Sequence, residues 1–217
     1  MDDQPKIISV EEKPGGVRLT VSGRTEDIIL PIDLVYRYNL KPGVTITPAQ
    51  MDQLLAESGR FLCDRETARL LAVREHSSGE IVVKLKRKGF GEKLIAATVE
   101  KFRKRGLIDD PRLAMKLAQQ ALERKPAGRA FLVAVLRRKM IDRMLAELTV
   151  DTLLDEIDDI QSAIQALRQR WPVPEQIEVE SVRDKAYSYL SRRGFGYETA
   201  RAACSAVFGS PRKADDD

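Results

Sequence analysis

Cysteine is nearly missing from this chain, with two in 217 residues, and histidine occurs once, at His76. Cys63 and Cys204 lie far apart and flank no motif. Reduced core residues of a cytoplasmic protein are the simplest account of them. With one histidine, and no Cys/His or carboxylate set at ligand spacing, no metal site is expected. His76 precedes a capping serine, so a surface or capping place is expected for it. There is no glycine-rich phosphate loop, and nucleotide hydrolysis is not expected. No apolar run approaches the ~20 residues that cross a bilayer, so no membrane contact is expected. The start, Met1-Asp2-Asp3-Gln4-Pro5, has neither the basic region nor the apolar stretch of a secretion signal. Neither a cofactor nor catalysis is expected.

What is present is charge, unevenly placed. The net charge is only +4, from 37 Lys and Arg against 33 Asp and Glu. Between Lys84 and Arg105, however, nine basic residues stand against two glutamates. Acidic residues gather instead at Asp155-Glu156 and Asp158-Asp159, read as a solvated acidic face, and in the terminal Asp215-Asp216-Asp217.

The second conspicuous feature is a repeat. Lys84-Leu85-Lys86-Arg87-Lys88-Gly89-Phe90-Gly91 recurs 105 residues later as Tyr189-Leu190-Ser191-Arg192-Arg193-Gly194-Phe195-Gly196. A fainter copy, Val135-Leu136-Arg137-Arg138-Lys139-Met140-Ile141-Asp142, lies between them. Each has a leucine, then a basic pair, a turn position and an apolar residue, the mark of an array of related helical units.

Apolar and polar residues alternate over Val17–Val21, the period of a half-buried strand, with turns at Pro14-Gly15-Gly16 and Ser22-Gly23-Arg24. Ile7–Val10 and Ile28–Leu30 complete a small meander, too small to stand alone and so expected to pack on the helices. Pro31 opens a short helix to Tyr38. Thr47-Pro48-Ala49-Gln50 and Ser77-Ser78-Gly79-Glu80 are capping boxes. Asp64 is expected to cap a helix reaching Glu75, and Asp109-Asp110-Pro111 to cap another with Leu113, Leu117 and Ala121 inward. Leu94, Ile95, Thr98, Val99 and Phe102 form one stripe after Gly91. Lys125-Pro126 starts a helix whose apolar face is Phe131, Leu132, Val135 and Leu136. Two helices follow from about Asp142 to Trp171, with a break near Thr149. Pro172-Val173-Pro174 is a further break before a last pair over 178–193 and 197–208. The expected architecture is therefore mainly α: an elongated, curved array of three tandem three-helix units after a small N-terminal antiparallel sheet. The divisions are 1–58 for the sheet and short helices, 59–107, 108–150 and 151–209 for the helical units, and 210–217 for a flexible acidic tail. Each unit is too small to bury a good core by itself.

Gly89 and Gly194 are expected to turn the chain through a left-handed conformation after a helix. Met140 stands where they do. Its side chain would cost about 1 kcal/mol in that conformation, so an altered turn is expected there. The pairs Arg87-Lys88, Arg138-Lys139 and Arg192-Arg193 complement their helix dipoles. Dipoles do not account for the added Lys84, Lys86, Lys93, Lys101, Arg103, Lys104 and Arg105, which point to an anionic partner with salt-dependent binding. Gly-Phe-Gly before a helix also fits, loosely, a helix-hairpin-helix phosphate site. A stand-alone DNA-binding protein and a helical scaffold for another partner therefore stay open.

The ordered series His76-Ser77-x-x-Glu80, Lys84-Leu85-x-x-Lys88-Gly89-Phe90, Gly106-Leu107-Ile108-Asp109-Asp110-x-x-x-Ala114, Lys125-Pro126-x-Gly128, Leu136-Arg137-x-Lys139 and Leu190-x-x-Arg193-Gly194-Phe195 resembles the RecX family of recombination regulators. It departs from the family at Met140, where glycine is usual, and at Ile81, where leucine is. The resemblance implies a monomeric modulator without enzymatic activity. It would bind in the groove of the RecA–single-stranded DNA filament, suppress RecA's ATPase, filament growth and strand exchange, and serve recombination, DNA repair and the SOS response. Double-stranded DNA is a further expected partner. The residues expected to face RecA or DNA are Lys84, Lys86, Arg87, Lys88, Lys93, Arg103, Lys104, Arg105, Arg137, Arg138, Lys139, Arg192 and Arg193.

Overall fold

The computed structural model describes residues 4–172 and 179–209. Val173-Pro174 of the expected break, the helix start at Glu178 and the tail 210–217 lie outside the described residues. The chain is mainly α, with ten helices and one antiparallel sheet among the described residues. It divides into two compact units, residues 1–75 with 81–108, and residues 76–80 with 109–217.

In the first unit β1 (Ile7–Lys13), β2 (Gly16–Val21) and β3 (Ile28–Leu30) pair in that order, with Val10 opposite Leu19 and Val17 opposite Leu30. The alternation read in β2 is realised: Val17, Leu19 and Val21 are buried, and Arg18 is exposed. These residues join Ile7, Ile28 and Leu30, Leu34 and Val35 of α1 (Ile32–Arg37), and Leu54 of α2 (Pro48–Val73) in one apolar cluster. Each fully buried side chain of this kind contributes about 1.5–3 kcal/mol. That supplies the support which three short strands lack alone.

Thr47 and Gln50 cap α2 reciprocally, as their spacing implies. The helix then runs 26 residues without a break, so Asp64 starts nothing. Its carboxylate lies mid-helix and accepts from the Lys101 ammonium instead. α3 (Ser78–Arg87) and α4 (Glu92–Lys104) add a second cluster, in which Ile81, Leu85, Ile95, Val99, Phe102 and Ile108 close around Cys63. Burial raises the Cys63 thiol pKa.

In the second unit α5 (Asp110–Arg124), α6 (Arg129–Arg138) and α7 (Arg143–Leu154) enclose a third cluster, including Leu113, Leu132, Leu136, Ile141 and Val150. α8 (Asp159–Arg170), α9 (Val179–Arg192) and α10 (Tyr197–Phe208) enclose a fourth around Leu167, Leu190, Phe195 and Cys204. The interruption expected near Thr149 falls later. The Thr149 hydroxyl donates back to the Leu145 carbonyl at 2.7 Å, and α7 continues to Leu154. The break is at 155–158, where the Asp158 carboxylate accepts from the backbone of Ile160 and Gln161 and starts α8.

Candidate partner-binding turns

The three copies of the repeat fold into the same turn. The amide of Phe90 donates to the Leu85 carbonyl, and that of Gly89 to Lys86. Ile141 with Met140, and Phe195 with Gly194, repeat the pattern onto Leu136 with Arg137, and onto Leu190 with Ser191. This is the Schellman arrangement, in which the apolar residue after the turn also packs on the leucine that begins it. Leu85, Leu136 and Leu190 are all fully buried, which anchors each turn to its own cluster. Gly89 and Gly194 have φ of 84° and 82°. Met140 has φ of 55°, so the middle turn is kept rather than altered. Hydrogen bonds and the burial of Ile141 hold its backbone there against a strain of about 1–2 kcal/mol.

Two of the turns are docked by their own backbone. Arg193 and Gly194 face the start of α6, where the Gly128 amide donates to the Arg193 carbonyl at 2.9 Å and that of Ala130 to Gly194 at 3.2 Å. The Arg193 guanidinium spans the carbonyls of Lys125 and Pro126 at 2.7–2.9 Å and lies 4.3 Å from the centre of the Phe131 ring. A Cβ on Gly194 would stand 2.1 Å from the Phe131 nitrogen, and one on Gly128 2.4 Å from the Gly194 oxygen. The middle turn sits likewise on Ser77–Gly79. Ser77 Oγ donates to the Lys139 carbonyl, and a Cβ on Gly79 would stand 2.4 Å from the Met140 oxygen. At Gly89 no atom lies within 4 Å of the equivalent point.

The basic side chains consequently have different fates. In the first turn Lys88 pairs with Glu66 at 2.9 Å, and Lys86 with Glu92 at 2.6 Å. The Lys86 ammonium holds the Glu92 carboxyl below its usual range. Lys101 pairs with Asp64, and Lys104 with Glu100 at 3.6 Å. The single-signed face read in the sequence is thus partly neutralised, by Asp64 and Glu66 of α2 and by the two glutamates of α4 itself. Arg87, Lys93 and Arg105 are exposed and Lys84 is half-buried, and none of the four makes an ion pair among the described residues. Arg103 is exposed near the end of α4. In the middle turn Arg137 donates to the Ile141 carbonyl at 2.6 Å, and Arg138 to Ala134 at 3.3 Å. The Arg138 guanidinium also lies 6.0 Å from the Phe131 ring centre. Lys139 is half-buried. In the third turn Arg192 is exposed and Arg193 is consumed in docking.

Sequence reasoning missed the cluster that receives the middle turn. Ser77 and Glu80 cap α3 as expected, but His76 is 5% exposed rather than at the surface, with Nδ1 3.3 Å from Glu80 Oε2. Asp109 caps α5 through the Arg112 amide. Asp110, read as part of the same cap, accepts from the amide and hydroxyl of Ser78. Asp110 is 32 residues from Ser78, and the only hint was a second carboxylate the cap did not need. The described residues contain no group of His, Cys, Asp or Glu placed to hold a metal ion. None of their helices is long and apolar enough to cross a membrane.

Residues 68–102 match the family model described as RecX, first three-helix domain. A "Regulatory protein RecX" of Chlorobium phaeobacteroides is 31% identical over 142 residues, 65% of this chain and 91% of that protein. Its namesake in Pelodictyon phaeoclathratiforme is 30% identical over 62% of this chain and 82% of its own length. Among solved structures, a crystal structure of regulatory protein RecX aligns with a TM-score of 0.62 at 18% identity, covering 90% of this chain and 96% of that one. RecX from Lactobacillus salivarius aligns with a TM-score of 0.58 at 17% identity, over 69% of this chain. At such identities the structures bear on the fold alone.

Proposed function

The chain belongs to the RecX family of regulatory proteins, and on that premise we propose that it binds the groove of the RecA–single-stranded DNA filament and restrains RecA. The restraint falls on ATP turnover, filament growth and strand exchange. The proposal takes 59–107, 108–150 and 151–209 as the three helical units that meet the filament. The observation that carries it is the threefold recurrence of one cationic turn, with Arg87 and Arg192 left exposed at its outer copies. A filament is itself periodic. Several weak contacts on one chain then bind it more tightly than they bind a free subunit.

The contacts fall to Arg87, Lys84, Lys93 and Arg105 in the first unit, with Arg103, Lys86 and Lys104 available once their present partners exchange. Arg137, Arg138 and Lys139 serve in the middle unit, and Arg192 in the third. Lys88 and Arg193 act mainly by shaping their turns, because their charged ends are already engaged. The test is a titration of the protein into RecA on single-stranded DNA, following ATP turnover and co-sedimentation with filaments. Turnover falls as the filaments saturate. Unchanged turnover with no filament binding refutes the proposal.

A further inference from the structure

We propose that Tyr197, stacked on Tyr187 in the helix pair whose turn carries Arg192, is a platform for an unpaired nucleobase, which makes the third turn the one that touches single-stranded DNA. The inference rests on the filament reading above and assigns one component of that filament to one repeat. It starts from the residue that follows each turn and opens the next helix. This is Glu92 in the first copy, Arg143 in the second and Tyr197 in the third.

Glu92 takes up the charge of Lys86, and Arg143 is taken up by Glu147 at 2.8 Å. Tyr197 does neither. The residue is 71% exposed, and its ring lies nearly parallel to that of Tyr187, at 6.5 Å between centroids and 21° between planes. Tyr187 is half-buried and packs against the Leu190–Phe195 cluster, so the inner ring is fixed and the outer ring offers its far face to solvent. Five residues before Tyr197, Arg192 is exposed with no ion pair among the described residues. Glu198, the nearest acidic neighbour in sequence, is countered by Arg201 at 3.0 Å. A flat aromatic face at the start of α10 and an exposed cation at the end of α9, across one turn of chain, fit a stretch of nucleic acid whose bases are free to stack and whose phosphates carry charge. A paired base, enclosed in its duplex, has no such face to give.

Fluorescence anisotropy of labelled oligo-dT, and of an abasic oligonucleotide of equal length, tests this with the full chain over a salt series. The wild type binds oligo-dT more tightly than the abasic strand. Tyr197→Ala weakens oligo-dT binding about 5- to 100-fold and brings the two strands together, with the salt slope unchanged. Tyr197→Phe restores wild-type binding, since the ring is kept. Arg192→Ala lowers the log–log salt slope by about 0.7 and preserves the preference for bases. Equal binding of the two strands by the wild type, oligo-dT binding untouched by Tyr197→Ala, or failure of Tyr197→Phe to restore it overturns the inference. Filament binding measured in parallel separates that failure from failure of the RecA reading, because a protein that binds filaments through other surfaces retains it. Tyr197 is exposed, so folding is expected to survive. Should circular dichroism show an unfolded Tyr197→Ala, the wild-type comparison of the two strands still decides.

Discussion

Gly89→Ala and Gly194→Ala are the same chemical change at the same place in the same turn, and the structure requires them to differ. In both, a methyl group enters a left-handed backbone at a cost of about 1–2 kcal/mol. Reduced freedom of the unfolded chain returns about 0.4–1 kcal/mol. Gly89→Ala should stop there, at a net loss of about 0.5–1 kcal/mol, because nothing lies within 4 Å of the new atom. In Gly194→Ala the methyl group meets the Phe131 nitrogen at 2.1 Å and the Phe131 Cβ at 2.7 Å. No rotamer relieves contact with backbone. Either the chain strains, at about 1–3 kcal/mol, or the turn lifts off and gives up its hydrogen bonds to α6, worth about 0.5–1.5 kcal/mol each. The two variants should therefore differ by about 1–3 kcal/mol, or roughly 2–12 °C in Tm for a chain of this size. Urea unfolding followed by the fluorescence of Trp171 reads this directly. It is the chain's single tryptophan and packs at the edge of the fourth cluster, with its ring edge-on to Tyr189. Equal losses in the two variants would refute the docking of the third turn.

Met140→Gly removes a side chain from φ of 55° and should stabilise by about 1 kcal/mol, raising Tm by about 2–4 °C in calorimetry. Arg193→Lys keeps the charge but loses the fork that spans Lys125 and Pro126. A loss of about 1–2 kcal/mol is expected in urea, and an unchanged midpoint would return Arg193 to the binding surface. Arg87→Glu should weaken filament co-sedimentation without moving Tm, since the residue is exposed and unpaired among the described residues. Burial pushes the Cys204 thiol up to about 11 from an ordinary 9.0. The unfolded thiol then ionises first, so its contribution is complete below pH 9 and is lost as pH rises towards 11. Stability measured in urea should fall across that window. Slow reaction of both thiols with a disulfide reagent at pH 8, quickening on unfolding, checks their burial.

Most of the helix starts were legible because each is a local device. Thr47 with Gln50, Ser77 with Glu80, and Asp109 each satisfy backbone groups within three residues. The same locality misled at Asp64 and Thr149. A capping residue type is only an offer, and it lapses when the helix on either side is already held by buried neighbours. Asp64 sits next to the buried Cys63, and Thr149 next to the buried Val150. The Schellman turns were legible at Gly89 and Gly194 from glycine itself. Met140 was not, because a left-handed methionine is affordable only when distant packing holds it.

What sequence by itself determined is therefore the recurring turn, its basic pair and the leucine beneath it, all set within eight residues by hydrogen bonds of fixed span. That Lys88 and Arg193 are engaged by distant partners, while Arg87 and Arg192 make no ion pair among the described residues, was decided by tertiary structure. Glu66, Pro126, Ser77 and Asp110 reach the turns or their docking sites from 22 to 67 residues away. Three nearly identical charged turns become one open and two docked because charge acts over a few ångströms of space, and sequence distance carries no record of that.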